Sequence, residues 1–142
     1  MNLDDLFLEV DKDLTIDDSE LDREALRNPY LYGKYLKFHC QSRAEYKNAE
    51  EEYKKMYLDK HQYYMGKAEP EVYKEKPFDL KVLKSDVSMY LEADEDLSIK
   101  RKTVEYSKTK VDYLEKTLKA IQDRSWSIKH AIDWRKFLEG AN

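Results

Sequence analysis

Apolar side chains return every three or four residues along most of this chain, which is the spacing of helices rather than strands. Leu3, Leu6, Phe7 and Val10 stand at i, i+3, i+4 and i+7 and predict one short amphipathic helix. Residues 13–19 are rich in Asp and Thr and read as a break, with a second short helix from Glu20 to Arg27. Pro29 then punctuates the pattern. Asn28 suits a cap, and proline suits a first helical turn, so a long helix is expected to begin there. Two interleaved heptad sets carry it to Met65: Tyr32, His39, Tyr46, Tyr53 and Lys60, and Tyr35, Ser42, Ala49, Met56 and Tyr63. Gly66 is placed to end it.

Residues 66–79 hold Gly66, Pro70 and Pro77 among charges and predict a surface loop. In 80–93, Leu80, Val82, Leu83, Val87, Met89 and Leu91 mix alternating with helical spacing, so a strand and a short helix are equally compatible. Asp94-Glu95-Asp96 has the charge of a helix start. The last helix is expected from Asp96 to Glu139, with Gly140 as its stop. Its seam sets are Val104, Val111, Leu118, Ser125 and Ile132, and Ser107, Leu114, Ile121, Ile128 and Arg135. Trp126, Trp134 and Phe137 lie off that seam and would form a second apolar strip.

The expected fold is mainly α: one helical domain over 1–142, built as a long coiled-coil-like hairpin with short N-terminal helices. Its parts are acidic N-terminal helices (1–28), a first long helix (29–65), a loop and short element (66–95) and a C-terminal assembly helix (96–140). A hairpin alone buries little, so the extra aromatics predict self-association into a larger bundle or a ring-like homo-oligomer. The residues assigned to that assembly are Val111, Leu114, Leu118, Ile121, Ile128 and Ile132.

Composition narrows the function. With 142 residues, three Gly and three Pro, the chain cannot supply the turns of a β-sandwich. No apolar run approaches the roughly 18 residues of a membrane span, and the acidic start does not read as a secretory signal. The single Cys40 forms no intramolecular disulfide and points to a reducing cytoplasm. Net charge is -4, unevenly spread: -7 over residues 1–29, +2 over 30–65, -4 over 66–97 and +5 over 98–142. A basic face can therefore exist on an acidic molecule.

Catalytic signatures are missing. Neither G-x-x-x-x-G-K-[ST] nor G-x-G-x-x-G occurs. His39, His61 and His130 lie far apart without ligand spacing, and Cys40 has no evident His–Asp partnership. No enzyme activity, cofactor or metal is expected. What stands out is twelve tyrosines, most of them in 30–73. Packing in a helical seam accounts for many of them. From Lys54 to Lys67, however, Lys54, Lys55, Lys60, Tyr63, Tyr64 and Lys67 interleave cations with rings. Single-stranded nucleic acid needs both: cations for phosphate and flat rings for unpaired bases.

Several local patterns coincide with one family. They are Leu3-x-Asp5-Leu6, Ile16-Asp17 with Leu21-x-x-Glu24-Ala25, and Asn28-x-x-Leu31-Tyr32-x-Lys34 with His39. Further along come Tyr63-Tyr64-x-Gly66, Ala93-Asp94-x-Asp96, Ala120-Ile121-x-x-Arg124, Ile128-Lys129-His130 and Asp133-x-Arg135-x-Phe137. In order and spacing the chain resembles, almost end to end, the UvsY family of recombination mediators of T-even-like phages. The resemblance implies a non-enzymatic protein that binds single-stranded DNA and forms ring-like oligomers, hexamers or heptamers. It also implies loading of a RecA-like recombinase onto DNA coated by the phage single-stranded-DNA-binding protein, in the cytoplasm of the infected bacterium. Of the two basic positions it ties to DNA before the Tyr-Tyr element, one is Lys60 here and the other is Leu58. Lys54 and Lys55 stand one turn earlier, and Lys67 keeps the basic position after the glycine. The competing expectation is a coiled-coil scaffold whose lysines only solvate it.

Overall fold

A computed structural model describes residues 1–140. It contains α1 (Leu3–Leu14), α2 (Leu21–Tyr64), α3 (Pro70–Glu75), α4 (Val87–Ala93) and α5 (Glu95–Leu138) and, among the described residues, no strand. Where the sequence suggests one domain, packing divides the chain into two compact units. The first joins residues 1–42 to 109–140, and the second is Arg43–Lys108. α2 and α5 contribute to both.

In the first unit Asn2 caps α1, its Oδ1 accepting from the Asp5 N–H at 2.8 Å. Leu6 and Val10 of α1 pack with Leu31 and Tyr35 of α2 and Leu114 and Ile121 of α5. α2 and α5 run antiparallel here, since Asn28 meets the Ile121 carbonyl while His39 meets Glu115. Among these apolar groups lies a buried polar network. The Arg124 guanidinium pairs with the Glu24 carboxylate and donates to Asn28 Oδ1 at 2.8 Å. It also donates to the carbonyls of Leu14 and Thr15 at 3.2 Å each, tying the end of α1 to α5. Asn28 Nδ2 donates to the Ile121 carbonyl and to Ser125 Oγ, each at 2.6 Å.

This network explains the first correction. No helix boundary falls at 28/29: Pro29 lies inside α2. A proline there removes its own N–H from the hydrogen-bond ladder and costs about 3 kcal/mol in an isolated helix. Leu21, Glu24, Asn28, Leu31 and Tyr35 are buried on both sides of it along one heptad stripe, and packing of that stripe outweighs the local penalty. The second correction concerns α5. One expected seam set holds at Leu114, Ile121 and Ile128, but the other slips by one residue, so that Thr117 and Arg124 are buried instead of Leu118 and Ser125. A straight helix drifts against a 3.5-residue repeat, and Arg124 has partners that Ser125 could not match.

The residues assigned to assembly are mostly covered within the chain itself. Leu114 and Ile121 belong to the chain's own core, Leu118 packs against it, and Val111 and Ile128 are buried as well. Ile132 is half-buried. The heptad seam is thus filled largely within one chain, while Trp126, Trp134 and Phe137 remain exposed.

In the second unit α2 ends as its glycine predicts. Gly66 has φ 75°, Lys67 N–H donates to the Gln62 carbonyl and Gly66 N–H to the Tyr63 carbonyl, which together form a Schellman cap. The expected loop contains α3, started by Pro70. The ambiguous stretch 80–93 resolves as an irregular run followed by α4. Val87 and Leu91, one turn apart, are buried with Leu97, whereas Leu80 and Leu83 stay exposed. Tyr53, Met56, Tyr64, Met65 and Val82 pack around this small core.

Candidate nucleic-acid site

Lys60, Tyr63 and Tyr64 occupy one face of the last turns of α2, because positions three and four apart are neighbours on a helix. Opposite them comes the start of α5. Asp94 caps that helix, its Oδ1 accepting from Leu97 N–H at 2.9 Å. Its Oδ2 accepts from the Tyr64 hydroxyl at 2.6 Å and lies 3.3 Å from Lys60 Nζ. Lys60 Nζ also pairs with Asp96 Oδ2 at 2.8 Å. Burial opposes charge on both groups. The hydrogen bonds and opposite charges outweigh it, holding the Asp94 carboxyl below the ordinary carboxylate value and the Lys60 ammonium above its own. Tyr64 is pushed up by burial and by the Asp94 carboxylate.

The rings form a connected cluster. Tyr63 stacks on Tyr73, with centroids 5.4 Å apart and planes 16° apart. Tyr64 meets Phe78 at 5.2 Å and Tyr90 at 5.5 Å. Hydroxyls add direction: Tyr63 donates to the Lys76 carbonyl at 3.0 Å, and Tyr73 to the Tyr63 carbonyl at 2.8 Å. The segment after α2 is thereby fastened back onto it. A cleft of about 340 Å³ opens between α2 and α3, with Lys60, Tyr63, Ala68, Val72 and Lys76 on its walls.

The six residues singled out from the sequence fall into two groups. Lys60, Tyr63 and Tyr64 come together but are engaged with the chain itself. Lys54, Lys55 and Lys67 are exposed and make no ion pair among the described residues. Sequence reasoning missed Tyr73, Lys76, Phe78 and Tyr90. The available signal was the pair of prolines, Pro70 and Pro77, which frame a short ordered element and not a featureless loop.

Fold and site together define a class: a helical binding protein with cations and aromatic rings gathered at one helix end and no phosphate-cradling glycine loop. The sequence model of the family described as "Recombination, repair and ssDNA binding protein UvsY" matches residues 9–141, and the chain belongs to this family. It is 31% identical over 140 residues to the recombination protein uvsY of Enterobacteria phage T4, covering 99% of each chain. It is also similar to crystal structures of the bacteriophage T4 recombination mediator protein UvsY. One crystal form gives a TM-score of 0.87 at 31% identity over 98% of each chain. Another gives 0.84 at 30% identity, over 94% of this chain and 98% of that one.

Proposed function

We propose that this chain binds single-stranded DNA and acts as a recombination mediator. It helps to load a RecA-like recombinase onto DNA coated by a single-strand-binding protein, inside the infected bacterium. The observation that carries this reading is membership, over nearly the whole chain, of a family described by single-strand binding, recombination and repair. The exposed Lys54, Lys55 and Lys67 flank the Tyr63–Tyr64 element along the chain and leave their cations open to solvent, which with the rings is the chemistry a flexible strand needs. Action of this kind needs no catalytic group. An assembly of several copies gains avidity from many weak contacts. It favours whichever strand conformation it binds best, and so biases the exchange of one coating protein for another.

We place self-assembly on the exposed C-terminal aromatics rather than on the filled seam. Trp126, Trp134 and Phe137 are 60%, 59% and 70% exposed, and Trp134 stacks on Phe137 at 5.5 Å. Clustered exposed rings of this size suit a contact between copies, as a hexamer or heptamer.

The test is fluorescence anisotropy of a labelled single-stranded oligonucleotide over a series of salt concentrations, with sedimentation on the same samples. Binding should weaken with salt, log K falling against log salt by about 0.7 per phosphate contacted. Lys54→Ala with Lys55→Ala should reduce that slope. Oligomers that bind no strand even at low salt would leave the scaffold reading.

A further inference from the structure

We propose that Lys60 and Lys76 form a two-lysine seat for one backbone phosphate of the bound strand, and that the Asp96 carboxylate occupies this seat in the unbound chain. This rests on the single-strand reading above and adds the seat's second lysine and its resident competitor. A single oxygen, Asp96 Oδ2, receives both ammonium groups, Lys60 Nζ at 2.8 Å and Lys76 Nζ at 3.6 Å. One oxygen between two lysines is also how a phosphate oxygen is held.

The two cations come from separate elements whose backbones are fixed. Lys60 lies on α2. Lys76 is the C-cap of α3, its N–H donating to the Val72 carbonyl at 2.9 Å and its carbonyl accepting from the Tyr63 hydroxyl at 3.0 Å. Both lysines line the cleft between α2 and α3, where Tyr63 and Val72 offer apolar wall beside the seat.

The two carboxylates at the seat are not equivalent. Asp94 is 5% exposed at its side chain and is committed to the α5 cap and to Tyr64. Asp96 is 47% exposed, and its only partners among the described residues are the two lysines. An exposed carboxylate pair of this kind is weakly held, so Asp96 can swing away while Asp94 stays. Asp96 also lies in the first turn of α5, where the helix dipole favours an anion. A phosphate entering as Asp96 leaves would meet the same field and both lysines. With Asp96 in place the two cations are screened from the strand.

The experiment uses the full chain, a labelled oligothymidylate and anisotropy over a salt series. Asp96→Asn should bind about three- to tenfold more tightly at moderate salt. Its log K against log salt should be steeper by about 0.7 to 1.4, as one or two further contacts require. Asp96→Ser should repeat this, covering the case of an amide that still holds Lys60. Combining Asp96→Asn with Lys76→Ala should return the affinity close to that of the unaltered chain. Glu71→Gln, on the exposed face of α3, should leave affinity unchanged, and a gain equal to that of Asp96→Asn would reduce the effect to net charge and overturn the seat. If the unaltered chain binds with a salt slope and Asp96→Asn and Asp96→Ser both match it, the seat is wrong and the single-strand reading stands. If neither the unaltered chain nor the Asp96 variants bind at low salt, both are wrong.

Discussion

Each of the two units contains a tyrosine, an aspartate and a lysine joined in the same way, with a second acid on the lysine. In the first unit the Tyr35 hydroxyl and Lys34 Nζ both donate to Asp13 Oδ2, at 2.8 and 2.6 Å, and Lys34 also reaches Glu9 at 2.6 Å. In the second, Tyr64 and Lys60 share Asp94, and Lys60 also reaches Asp96. What surrounds each triad differs. Tyr35 is fully buried among Leu6, Leu31, Leu114 and Ile121, and both acids come from α1. There the triad docks α1 onto α2. Tyr64 sits among half-buried rings, and Asp96 faces solvent. Enclosure by aliphatic side chains separates the two tyrosines, but the aspartate and lysine are no more buried in the first triad (13% and 23% exposed) than in the second (5% and 18%), so the difference lies in the ring and in the more open second acid, Asp96 at 47% against Glu9 at 36%.

That contrast can be broken at Arg124. Arg124→Ala removes the buried partner of Glu24, leaving its carboxylate only the part-exposed Arg27 guanidinium at 3.3 Å as an ion-pair partner among the described residues, and should cost about 3 kcal/mol, the lower end for removal of one partner of a buried pair. Urea unfolding measures it, and a loss under about 1 kcal/mol would mean that the network does not hold the first unit together. Leu114→Ala opens a cavity beneath α1 and should cost about 2–5 kcal/mol in the same assay.

The tyrosine pair sharpens the comparison. Each of Tyr35→Phe and Tyr64→Phe removes one hydrogen bond to a charged acceptor, worth about 1.5–3 kcal/mol. The enclosed Tyr35 should stand at the upper end and Tyr64 at the lower. Equal losses would show that enclosure makes no difference.

Acid should act on both triads. Burial raises the carboxyls of Asp13 and Asp94, but hydrogen bonds from tyrosine and lysine outweigh it and leave each below the ordinary value of 3.8. A carboxyl depressed on folding stabilises the native state fully above its unfolded value, and that stability is lost as pH falls through the folded value. Unfolding free energy should therefore be level from neutral pH to about 5 and fall below about 4. In Asp13→Asn and Asp94→Asn the fall should be shallower, read from urea midpoints across that range. The smallest stability effect belongs to the exposed cations: Lys54→Ala and Lys55→Ala should each change stability by less than about 0.5 kcal/mol while lowering strand affinity.

Much of this architecture was legible along the chain. Periodicity located α1 and both long helices, Gly66 and Gly140 marked stops, and Asp94-Glu95-Asp96 marked the start of α5. The interleaving of lysine and tyrosine from Lys54 to Lys67 was visible, and it falls at the end of α2, where the rings gather. The state of each cation there was not legible. Lys60 and Lys54 look alike in sequence, yet one is clasped by two carboxylates from thirty-odd residues away and the other makes no ion pair among the described residues. Lys76 and Tyr73 were hidden for the same reason, since their partners stand on a different helix.

Local chemistry by itself determined which segments are helical, where glycine ends them, and that cations and rings concentrate at one helix end. Those properties depend on side-chain period, backbone freedom and composition, all of which act over a few residues. Tertiary packing decided the rest. It carried α2 through Pro29, because a buried stripe on both sides outweighs one lost hydrogen bond. It replaced Ser125 with Arg124 in the core, because only a guanidinium could satisfy the Glu24 carboxylate, Asn28 and three carbonyls at once. It also enclosed Leu114 and Ile121 within the chain, because Leu6 and Val10 of α1 add to the cover that α2 provides.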